Sequence, residues 1–91
     1  MRASIERYLD AAVAVRRTER QISQQEAAWD RWAARARLAS ALGDERLAEA
    51  ARRRALVHGE AAAWLRTVQA EQGALVRRLA ASVKAERPRK A

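Results

Sequence analysis

The residues Arg37–Arg54, RLASALGDERLAEAARRR, decide the fold. A helical pattern runs into Gly43-Asp44, and a second helical pattern starts at once at Glu45. Just past a helix end the backbone often turns left-handed, and glycine adopts that conformation without steric cost, so Gly43 closes the first helix. Asp44 is suited to the N-cap of the next one, because its carboxylate can accept from the free amides of the first turn. Glu45 adds negative charge where the helix dipole favours it.

Upstream of this corner, larger apolar residues recur at sevens: Tyr8, Val15, Ile22 and Trp29, followed by Ala36. Between them fall Ala11 and Ala12, Thr18, Gln25, Trp32 and Ala33, and Ala39, which completes a heptad seam with a few polar interruptions. No glycine precedes Gly43, and the only proline is Pro88. The spacing therefore predicts one helix over residues 4–42, roughly 58 Å long at 1.5 Å per residue. Downstream, Leu47, Ala50, Ala51, Val57, Ala61, Trp64, Leu65, Val68, Leu75, Val76, Leu79 and Val83 repeat at helical spacing and predict a second helix over 45–85. Gly59 and Gly73 interrupt it at a cost of about 1 kcal/mol each relative to alanine. Neither is flanked by other turn formers, so the helix is expected to pass through both, the alternative being a three-helix bundle broken near Gly59.

Two long helices joined at 43–44 must run antiparallel. The expected architecture is an all-α, two-helix coiled-coil hairpin forming one domain over 1–86, with a disordered basic tail over 87–91. Folding at the corner should bring Trp32 near Arg54 and Val57, and Trp64 near Ile22. The expected core and interface residues are Tyr8, Val15, Ile22, Trp29 and Trp32 on the first helix, and Leu47, Val57, Trp64, Leu65, Val68, Leu75 and Leu79 on the second. A two-helix layer has one internal seam, so an apolar flank on each helix is left for a neighbour to cover.

Composition narrows the chemistry. Twenty-four of the 91 residues are alanine, and there is no cysteine and one histidine. Thiolate chemistry and disulfides are excluded, and a tetrahedral zinc site lacks ligands. His58 has no glutamate three residues before it, as a bundle metal site would require. No Gly-rich phosphate loop, nucleophile elbow or HExxH appears. No cofactor, metal or small-molecule substrate is expected, and nothing in the sequence supports an enzyme. The apolar run AAVAV is too short for a signal peptide and follows acidic residues, so a cytoplasmic protein is expected, at most peripheral to a membrane.

The net charge of +8 favours anionic partners. Arg52, Arg53 and Arg54 form one cluster and Arg77 and Arg78 another, and these are the candidate anion contacts. Consecutive helical residues point about 100° apart, so three adjacent arginines are not a phosphate comb on one face. The competing reading is a solvated helix surface.

The run Trp32, Ala36-Arg37-Leu38-Ala39, Gly43, Glu45, Leu47-Ala48, Ala51 and Arg54 resembles, without a gap, the hairpin tip of the phage-shock-protein A family of membrane-remodelling proteins. The spacing of Gln69, Val76, Leu79 and Lys84 is similar too, so the likeness covers about residues 32–84. It implies a long antiparallel hairpin that assembles side by side into ESCRT-III-type polymers on anionic membranes. The chain departs from the family in having no separate N-terminal amphipathic helix and none of the further helices that link subunits. The expectation is an interaction hairpin that keeps the fold without the remodelling activity, binding copies of itself or a helical partner. The alternative is a small basic nucleic-acid-binding protein.

Overall fold

The computed structural model describes residues 2–86, and the basic tail expected over 87–91 lies outside the described residues. Two helices account for nearly all of it: α1, Arg2–Ala41, and α2, Glu45–Ala85. They pack along their length as an antiparallel hairpin, each about 60 Å long. The predicted helix end at residue 42 is shortened by one residue, and α2 runs unbroken through Gly59 and Gly73, which removes the three-helix alternative.

The corner is built as the sequence predicts. Gly43 has φ 81°, and its amide donates to the Ser40 carbonyl at 3.0 Å. The Asp44 amide donates to the Ala39 carbonyl at 2.9 Å, so the two bonds together close α1 in a Schellman turn. Asp44 then caps α2, its Oδ1 accepting from the Leu47 amide at 3.0 Å. Across the corner, Ser40 Oγ donates to Glu45 Oε1 at 2.9 Å.

The interior is a seam of small residues. On α1, Ala11, Thr18, Ile22, Ala28, Ala36 and Ala39 are buried, with Tyr8, Val15, Gln25 and Trp32 half-buried between them. On α2, Ala48, Ala51, Ala55 and Ala62 are buried, and His58, Leu65, Gln69, Gln72, Val76, Leu79 and Val83 continue the same heptad half-buried. Ile22 is the one buried apolar residue larger than alanine among those described. Side chains this small let the backbones approach at the short end of the interhelical range.

That geometry corrects the expected core on α2. Leu47 (58% exposed), Val57 (63%), Trp64 (67%) and Leu75 (40%) stand outside the seam, and so does Trp29 (44%) on α1. The seam of α2 is displaced by one residue from the row of large side chains: Ala48, His58 and Leu65 lie in it, one position past Leu47, Val57 and Trp64, while the expected Ala51 is buried and Ala50 is exposed. Ile22 is buried, while Trp64, expected near it, is mostly in solvent. Leu65, Val68 and Leu79 are half-buried, as expected of seam and near-seam residues.

The resulting shape is thin for its mass. The chain exposes 7213 Å², against roughly 5,300 Å² for a compact monomer of 10.2 kDa by the usual area-to-mass scaling.

Candidate interaction flanks

The hairpin has two long edges, and at the tip each carries a groove between the helices. One is about 440 Å³ and is lined by Trp32, Arg35 and Leu38 of α1, Leu42 of the turn, and Leu47, Ala50 and Arg54 of α2. We call this the leucine flank. On α2 it belongs to a second heptad row, Leu47, Ala50, Arg54, Val57, Ala61, Trp64 and Val68, each residue one position before a seam residue. The helix thus has two apolar rows about 100° apart, of which α1 covers one. The opposing wall is Arg35 and Leu38 of α1 with Leu42 of the turn, and Arg31 precedes them at the spacings of three and four that keep residues on one face.

The other edge, the paired flank, has a groove of about 620 Å³ lined by residues including Trp29, Arg37, Arg52 and Leu56. Three of its arginines are in ion pairs with carboxylates. Arg52 meets Glu45 at 3.4 Å and Glu49 at 3.2 Å, Arg53 meets Glu49 at 3.4 Å, and Arg66 reaches across to Glu26 at 2.7 Å. These are exposed pairs, each worth at most about 1 kcal/mol, and their importance is in leaving those glutamates occupied.

The leucine flank is different. Arg35 Cζ lies 4.6 Å and Arg54 Cζ 5.0 Å from the centroid of the Trp32 ring, so one indole holds two guanidiniums. Neither has a carboxylate partner among the described residues. Trp32 does meet Arg54, as expected, whereas Val57 is outside the seam.

The five candidate anion contacts do not form one patch. Arg52 and Arg53 are engaged by Glu45 and Glu49, Arg54 turns to Trp32, and Arg77 and Arg78 are exposed about 35 Å from them, near the other end of α2. Sequence reasoning missed Arg35, Leu38 and Leu42, whose i, i+3, i+7 spacing was a readable signal that they share a face.

His58 sits in the seam, half-buried, with Nδ1 2.7 Å from Gln25 Oε1. A carbonyl oxygen can only accept, so the Nδ1 proton is the one donated. The histidine is thereby a cross-helix tie. Among the described residues there is no cluster of His, Cys, Asp or Glu that could hold a metal ion, and no helix is long and apolar enough to cross a membrane.

No protein-family model, curated protein or solved structure matches this chain.

Proposed function

We propose that this chain is a non-enzymatic interaction protein, a hairpin similar to the coiled-coil core of the phage-shock-protein A family, that works by packing its uncovered helical row against other helices. The observation that carries the reading is the second heptad row of α2, in which Leu47, Val57 and Trp64 are each more than half exposed. Large apolar side chains recurring at heptad spacing beside a covered seam are the pattern of a helix with a second coiled-coil partner. The excess surface, about 1,900 Å² over a compact monomer, is comparable to what a standard protein interface buries in total. The basic charge makes an anionic membrane the surface near which such an assembly would gather.

The test is sedimentation equilibrium over a wide concentration range, with co-sedimentation on phosphatidylglycerol vesicles and with helical peptides. Mass above the monomer, or saturable capture of a helix, is the expected outcome, and either should be lost in Trp64→Ser. A strict monomer inert to helices and vesicles overturns the reading.

The second reading, nucleic-acid binding, draws on the arginines without carboxylate partners. It predicts affinity for duplex DNA that falls steeply with salt. The pairing of Arg52 and Arg53 with Glu49 weighs against it, since it leaves Arg54 alone of the cluster free of a carboxylate.

A further inference from the structure

We infer that the leucine flank is a docking site for one acidic amphipathic helix supplied by a different protein. The inference rests on the interaction reading above and names the occupant of that surface.

Three observations choose it. First, the site is a groove between two helices, lined by Leu38, Leu42, Leu47 and Ala50 with Arg35 and Arg54 beside them, and the exposed Val57 and Trp64 continue the α2 row beyond it. A third helix fits such a groove, whereas a flat bilayer touches only the ridges on either side. The α2 row from Leu47 to Trp64 is about 26 Å long, which calls for a partner helix of about 18 residues.

Second, Arg35 and Arg54 lie against Trp32 with no carboxylate partner among the described residues. Covering the groove takes their guanidiniums out of water, and an unpaired buried charge is costly. The occupant must therefore bring carboxylates, placed along one edge of an otherwise apolar face.

Third, a copy of this chain does not bring them. Packed leucine flank to leucine flank, it sets Arg35 and Arg54 against their own equivalents, because a two-fold contact repeats one surface. Packed on its paired flank, it offers Glu26, Glu45 and Glu49, which already hold Arg66, Arg52 and Arg53, and beside them only Asp30, one carboxylate against two guanidiniums. Foreign carboxylates meet the requirement without breaking an existing pair.

The probe is a fluorescent 21-residue peptide with leucine at heptad positions a and d and glutamate at e and g. Its counterpart has lysine at e and g. Titrated with the full chain at physiological salt, the glutamate peptide should bind saturably and gain helicity, and the lysine peptide at least tenfold more weakly. Arg35→Glu with Arg54→Glu should lower the glutamate-peptide affinity at least tenfold and reverse the preference. Arg37→Glu, on the other flank, should leave it within twofold. Equal binding of both peptides, binding of neither, or indifference to the Arg35/Arg54 reversal overturns the inference. So does capture by phosphatidylglycerol vesicles with no peptide preference, which would give the flank to lipid. If the chain instead self-associates through Trp64 while ignoring both peptides, this inference fails and the proposed function stands. Inertness to copies, peptides and vesicles removes both.

Discussion

The indole of Trp29 lies across Gly59: a Cβ placed on that glycine would stand 3.0 Å from Trp29 Cδ1 and 3.2 Å from Nε1. The glycine that looked like a weak point in α2 is therefore a seat for a side chain of α1. Gly59→Ala gains the helical preference of alanine but must push the indole outward. We expect a net loss of about 1 kcal/mol, overpacking costing more than propensity returns. In a Trp29→Ala background the same substitution should become stabilising. A urea-unfolding double-mutant cycle reads the sign change, and additive effects would show that the contact has no energetic weight.

Gly73 is the control. The nearest atom to a Cβ there is the Arg77 guanidinium at 3.5 Å, an ordinary contact with a flexible side chain. Gly73→Ala should raise stability by about 0.5–1 kcal/mol and Tm by several degrees in a thermal melt followed by circular dichroism.

Ala48 is fully buried, whereas Ala50, two residues on, is exposed. Ala48→Leu should force the helices apart and cost about 1–3 kcal/mol or more, while Ala50→Leu should stay within about 0.5 kcal/mol of the parent. The comparison, by denaturant midpoint at low protein concentration, decides which of the two rows on α2 is the internal seam.

Gln72 has its Oε1 buried with no hydrogen-bond partner among the described residues. Gln72→Leu removes that unmet acceptor from the seam and should stabilise by about 1 kcal/mol. Gln25→Leu removes the partner of His58 and should destabilise by a similar amount. Unfolding midpoints of the two variants should therefore move in opposite directions.

The corner, the two helices and the α1 seam were legible in the sequence. Gly43 and Asp44 are residue types whose backbone and capping chemistry admit few alternatives, and Tyr8, Val15 and Ile22, spaced at sevens, fall in the observed seam, although Trp29 does not. The α2 seam was legible only in part: Ala51, Leu65, Val76, Leu79 and Val83 fall in it as expected, but that helix carries two heptad rows one residue apart, and periodicity cannot say which faces inward. Reading by size favours Leu47, Val57 and Trp64. The hairpin instead closes on Ala48, Ala51 and Ala55, because the cap at Asp44 sets the phase of α2 as it leaves the turn, and small side chains admit the closest approach. The same ambiguity hid the leucine flank, which exists only once the helices are folded against each other.

The unequal division of charge between the edges gives the hairpin an electrical sidedness. One edge holds Arg52, Arg53 and Arg66 in ion pairs, and the other displays two arginines on a single indole. A rod charged this way rotates in the field of an anionic body before the two collide, presenting the bare edge first. Encounter rates should then fall as ionic strength rises, even where the final grip is mostly apolar.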